Sequence, residues 1–228
     1  MKASILFSGG IDSTYTAMKL TDQYDQIYLL TYSNGYGHLH IDRTKKRYKE
    51  LDKLFPGKFK HEIINIKKIF EKIVIDSISK DMKKYSSGFF WCFGCKLSMH
   101  TQTIIFNRNK GIKKTIDGSS ADTKEMVEQS PFSISLIKKL YKEHSQSFNS
   151  THYNISREEK RKFLSKNNIR LGIKIFDRHI GIQPKCVPGE LYYSSYILLN
   201  KLPLHKNKEI STFYNEKINH IKKIISTK

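Results

Sequence analysis

No apolar run in the 228 residues approaches the ~20 that a membrane-spanning helix needs, so a helical membrane protein is excluded. Cysteine is scarce. Cys92, Cys95 and Cys186 are an odd set of three, which cannot all pair as disulfides. The chain enters a strand-like stretch at once, with no leader-type segment, and the expected location is the cytoplasm, where thiols serve as metal ligands or redox groups. Acidic residues are few: 21 against 41 Lys and Arg give a net charge of +20. That excess suits a polyanion such as tRNA. It equally suits an AT-rich genome, because lysine far outnumbers arginine and Ile, Asn and Tyr are abundant. Arginine interleaved with aromatics, the usual mark of specific RNA binders, is missing. There is no internal repeat and no low-complexity linker. No Gly-Lys-Ser/Thr follows the glycines near the N-terminus, which excludes a P-loop, and no Gly-x-Gly-x-x-Gly is found there.

What the chain does contain is Ser8, Gly9, Gly10, Ile11, Asp12, Ser13 and Thr14, directly after the apolar residues 3–7. The apolar run reads as a buried strand, and residues 15–20 read as a helix capped by Asp12, Ser13 and Thr14. Two glycines between them let the backbone turn tightly and approach a ligand. Strand, glycine loop and helix N-terminus make an anion site, because free N–H groups and the helix dipole point at one spot. The expected ligand is a nucleotide phosphate.

Further along, strand and helix signals alternate. Strands are expected at 27–32, 61–66 and 113–116, and helices at 42–54, 67–80 and 95–107. This alternation predicts an α/β fold with a parallel sheet covered on both faces, whose ligands bind at the carboxyl ends of the strands. Ser8, residues 32–34 and residues 117–120 would then surround one crevice. Helices are expected at 132–144, at 158–166 behind a Ser156–Glu159 capping box, and at 209–225. The expected organisation is a core at 1–130 and a smaller, mostly helical C-terminal extension at 131–228 that contributes Cys186.

The run Ser-Gly-Gly-x-Asp-Ser at 8–13 resembles the signature of the PP-loop ATP pyrophosphatases, the adenine nucleotide alpha hydrolase-like superfamily, at every signature position. The resemblance implies a Rossmann-like core and an enzyme that adenylates a substrate oxygen, releases pyrophosphate and lets a sulfur or nitrogen nucleophile displace AMP. Carried over by position, Ser8, Gly9, Gly10, Ser13 and Thr14 would cradle ATP. Asp12 and Ser13 would be catalytic, with Mg²⁺ at the phosphate end. The adenine pocket would be lined by the end of the second strand, with Thr31, Tyr32 and Ser33 as candidates, and Gly118 would complete the nucleotide site. Lys96 and Asp117 are further candidates for phosphate and ribose or metal. Each has a plainer reading, as a solvated lysine and a turn cap.

Cys92 and Cys95 form Cys-x-x-Cys at an expected loop-to-helix junction, and Cys186 lies far downstream. Three readings stand: Zn²⁺ completed by a histidine such as His100 or His179, a redox pair, and an iron–sulfur cluster with one open iron. Unliganded core thiols are the plain alternative. The order and separation resemble the Fe–S-dependent tRNA thiolation enzymes of the superfamily, which implies a 4Fe–4S cluster and thiolation of a nucleobase in tRNA or of a small molecule. The chain departs from them. The stretch after Cys95 lacks their arginines, and Asp117-Gly118-Ser119-Ser120 stands where Gly-His-x-x-Asp is usual, although Asp122 is near. A weaker resemblance is to the 7-cyano-7-deazaguanine synthases, including the stretch around His38 and His40; it implies nitrogen transfer with Zn²⁺. A nucleotide- or RNA-binding protein without catalysis is the third reading. Expected partners are ATP, a tRNA or small-molecule acceptor, a sulfur-donor protein and a second copy of the chain. Trp91 is expected to anchor the loop before Cys92 by packing.

Overall fold

The computed structural model describes residues 1–169, 171, 184–198 and 205–227. Its centre is a sheet of five parallel strands in the order β4-β2-β1-β5-β6. The chain begins with β1 (Lys2–Leu6), α1 (Ile11–Lys19) and β2 (Gln26–Ser33). It continues through β3 (His38–Leu39), α2 (Arg43–Leu54), β4 (Phe59–Asn65), α3 (Lys67–Ile73) and α4 (Ile78–Lys84). Then come α5 (Phe89–Lys110), β5 (Lys114–Ile116), α6 (Pro131–Glu143), β6 (Ser147–Asn149) and α7 (Arg157–Lys166). The last described elements are β7 (Lys185–Cys186), α8 (Val187–Leu198) and α9 (Asn207–Ser226). The sheet is parallel because every connection between its strands is a crossover long enough to hold a helix.

The expected alternation is present, and the differences have local causes. Residues 67–84 make two short helices separated by a 3₁₀ turn at Ile75–Ser77 instead of one helix. The expected helix at 95–107 starts six residues earlier, at Phe89, so Cys92 lies inside it rather than in a loop. Gly94 reads as a breaker in the sequence, but there it makes room: a Cβ would come 2.4 Å from Val74 Cγ2. The capping box is formed, with the Glu159 N–H donating to Ser156 Oγ at 3.2 Å. β6 lies beyond residue 130 yet pairs with β5, so the sheet continues into the segment expected to be an extension.

β1 and β2 are buried nearly throughout, as befits strands covered on both faces. One face packs Ile11, Tyr15 and Met18 of α1 with Leu51 of α2 and Leu164 of α7. On the other, Tyr28, Leu30 and Tyr32 meet Phe106 of α5. Beyond α5 a third cluster joins Phe70, Phe89, Phe93, Tyr141 and Phe213, binding α9 to the core. Burying each such ring contributes roughly 1.5–3 kcal/mol. Among the described residues no helix is long and apolar enough to cross a membrane.

Candidate nucleotide and thiol site

β1 is flanked by β2 on one side and β5 on the other, so the strand order reverses direction at its carboxyl end. A crevice opens at such a point. The loop that leaves β1 there turns through Gly9 at φ +69° and starts α1 at Ile11. Asp12, Ser13 and Thr14 are therefore helix residues, and the cap position is Gly10, which has no side chain to offer. The first backbone N–H groups of α1 keep no carbonyl partner within the helix, so they face the loop as donors. Ser8 Oγ accepts from Gly10 N–H at 3.3 Å and lies 3.2 Å from Ser13 Oγ, which fixes both hydroxyls at the loop.

Two lysines, one buried and one partly buried, flank the loop. Lys160 of α7 is 1% exposed, and its ammonium donates to Asp12 Oδ1 at 2.7 Å and to Ser120 Oγ at 3.3 Å. Lys96 of α5 donates to Asp117 Oδ2 at 2.6 Å and to Ser119 Oγ at 3.3 Å. Ser150 Oγ donates to the other oxygen of Asp117 at 2.7 Å. Burial opposes the charge of Asp117, but Lys96, His100 and these hydrogen bonds outweigh it and hold the carboxyl at about 2. Between the two lysines Gly118 lies on the first turn of α1: a Cβ there would be 2.7 Å from Ser13 N. Arg47 of α2 closes the loop from behind, with Nε donating to Gly9 O at 3.3 Å and the guanidinium paired with Glu50.

One cavity of about 300 Å³ takes in most of these groups, with Lys160 and Arg47 outside its lining. Ser8, Gly10, Asp12, Ser13, Lys96, Asp117 and Gly118 line its polar end, and Leu6, Phe7, Leu30, Thr31, Tyr32 and Met99 line an apolar flank. Glu128, Gln129, His38 and Cys186 line the remainder. Several expected site residues lie elsewhere. Gly9 packs against Arg47 and Thr44, and Thr14 is buried in α1, its hydroxyl without a partner among the described residues. Ser33 does not line the cavity, and the Tyr32 hydroxyl points away to Thr103 Oγ1 at 2.7 Å. Asp122 accepts from Arg157 N–H at 2.6 Å, at the start of α7. Arg47, Lys160, Glu128, Gln129 and Met99 were not legible as site residues, because nothing in their sequence neighbourhood sets them apart.

Of the three cysteines only Cys186 lines the cavity. Cys186 is opposite His38 in the antiparallel β3–β7 ribbon. The place of a Cβ on Gly189 is 3.3 Å from Cys186 Sγ and 3.7 Å from Cys92 Sγ, so this glycine forms a cradle between the two sulfurs. Cys95 Sγ accepts from Asn34 Nδ2 at 3.4 Å and lies 3.8 Å from His38 Nε2. Burial raises all three thiols, Cys95 to about 12. Burial likewise raises the Glu128 carboxyl and lowers His38. Among the described residues no three His, Cys, Asp or Glu side chains converge as the ligands of a single metal ion. His100 is buried against Tyr141 and Phe148, and His179 lies outside the described residues. His40 is exposed, and Trp91 packs edge-on to Phe70.

No family model matches this chain. No curated protein matches it either. Among solved structures it is similar to the crystal structure of a predicted subunit of a tRNA methyltransferase from Methanocaldococcus jannaschii. The two are 20% identical over 72% of this chain and 74% of that one, with a TM-score of 0.48.

Proposed function

We propose that the protein is an ATP pyrophosphatase of PP-loop type that adenylates a carbonyl oxygen of its acceptor and passes sulfur to the activated carbon. One observation carries the reading: Ser8 and Gly10 of the glycine loop, Lys96 and Cys186 line a single cavity, with Lys160 paired to Asp12 behind them. The first-turn N–H groups of α1, with Ser8 and Ser13, would hold the triphosphate. Lys96 would offset charge on the departing pyrophosphate, and Asp12 would bind Mg²⁺. The apolar flank from Leu6 to Met99 is suited to an adenine ring.

Cys92, Cys95 and Cys186 are soft donors of the class that suits Zn²⁺ or an iron–sulfur cluster, and the cluster is the reading proposed here. A single tetrahedral ion needs its ligands to converge on one point. A cluster spreads its thiolates over several irons, and its cationic centre would favour the thiolate form that burial opposes. When bound, such a cluster supplies a site for the incoming sulfide. The acceptor, whether a tRNA base or a small molecule, belongs to this proposal too.

Incubation with MgATP and candidate acceptors should yield AMP and pyrophosphate, and Asp12→Asn should abolish both. ADP and phosphate in their place would overturn the assignment. Anaerobically isolated protein should carry iron and sulfide, and stoichiometric zinc without iron would remove the cluster.

A further inference from the structure

Two neighbouring side chains on the cavity wall have hydrogen-bond polarities fixed by the backbone. Gln129 Oε1 accepts from the Ser120 N–H at 3.1 Å and from Thr123 Oγ1 at 2.8 Å. A backbone N–H is always a donor, so this contact settles which end of the amide is oxygen. What Gln129 retains for the cavity is an NH₂ group, which donates. The Tyr193 hydroxyl accepts from Val127 N–H at 3.1 Å, so its own proton goes to Glu128 Oε2 at 2.9 Å. In its ionised form, which Tyr193 and Lys96 favour against burial, the Glu128 carboxylate has lone pairs beyond that bond, and these accept. Both residues belong to the 3₁₀ turn Val127–Gln129, and both line the same cavity as Lys96 and Cys186.

An acceptor beside a donor is the complement of an N–H beside a C=O. We infer that Glu128 and Gln129 read the lactam edge of a nucleobase, the N3–H and C4=O of a uracil or the N1–H and C6=O of a guanine-type ring. Glu128 takes the N–H, and Gln129 donates to the carbonyl oxygen. Cytosine presents N3 as an acceptor and its amino group as a donor, so both contacts are reversed and each partner is left facing its like. Enzymes that act on bases commonly read this edge in such a pocket. The inference rests on the proposed adenylation, since it names the acceptor class of that same cavity, but its test needs no turnover.

Isothermal titration of the full chain with free nucleosides, without ATP, is that test. Uridine and guanosine should bind, while cytidine, 3-methyluridine and 1-methylguanosine should bind roughly 10- to 100-fold more weakly, the loss expected for one hydrogen bond to a charged group. The near-isosteric double variant Glu128→Gln with Gln129→Glu should invert the order of uridine and cytidine. Residue 129 keeps an oxygen for Ser120 and Thr123, and residue 128 keeps one for Tyr193. Equal binding of uridine, 3-methyluridine and cytidine to the wild type would overturn the inference, and so would absence of binding by all five. If the lactam preference holds while no AMP forms with any acceptor, adenylation falls and the edge reading stands.

Discussion

Gly118→Ala is the sharpest perturbation of the candidate site, because its effect follows from backbone atoms alone. The added Cβ would lie 2.7 Å from Ser13 N, 2.9 Å from Asp12 C and 3.0 Å from Ser13 Cα. Carbon contacts are ordinarily about 3.5–4.0 Å, so a gap of roughly 0.5–1 Å has to open. No side chain can swing aside to make it. Either the loop after β5 or the first turn of α1 shifts, and overpacking of this kind costs about 1–3 kcal/mol. For a chain of this size that lowers Tm by about 2–12 °C. A displacement near 1 Å at the loop should also weaken the productive MgATP complex on the order of 100-fold. Gly111→Ala is the control: it sits at φ +66° with nothing within 4 Å of its Cβ position. It should lose about 1–2 kcal/mol of stability through backbone strain, with MgATP affinity unchanged. Calorimetric melting and MgATP titration of both variants decide the matter. Wild-type affinity in Gly118→Ala would refute the placement of the nucleotide site.

Lys160→Met removes a buried ammonium and leaves Asp12, 26% exposed, without its partner. Breaking a fully buried pair costs about 3–5 kcal/mol, and the hydration of Asp12 reduces this to about 1–3 kcal/mol, readable by urea unfolding. An unchanged midpoint would show the pair to be idle. Asp117 is held at about 2 in the fold, below its unfolded value, so its ionised form contributes stability that is complete above pH 4 and lost as the pH falls through 2. The contribution is about 2 kcal/mol, and Asp117→Asn should flatten the acid limb of a stability–pH curve between those limits. A limb as steep as that of the wild type would contradict this. Cys186→Ser should abolish sulfur transfer while leaving AMP release measurable by chromatography. Equal loss of both would place Cys186 in adenylation as well.

Much of the sheet was legible because β1 and β2 are apolar runs bounded by polar breaks, and the glycine loop declares itself by residue order. β6 was not: Ser-Phe-Asn has a single buried residue, Phe148, and no periodicity to reveal it. The start of α5 was hidden because glycine in a sequence signals a break, whereas Gly94 serves contact with Val74. Residues remote in sequence from the glycine loop became visible only through the fold. Lys160 follows Asp12 by 148 positions, and nothing local distinguishes it from other lysines. Glu128 and Gln129 acquire their meaning from Tyr193 and Ser120, partners that no spacing rule supplies.

That β1 is the centre strand has a consequence for synthesis. The glycine loop leaves the ribosome before β5, which must lie beside β1 and begins at Lys114, and before α7, which brings the counter-ion of Asp12. Domains form as units once their parts are available. Until residue 160 has emerged, the nascent chain carries Asp12 and its helix terminus without the lysine that sits behind them. The glycine loop is thus made well before the strand and the lysine that complete its surroundings.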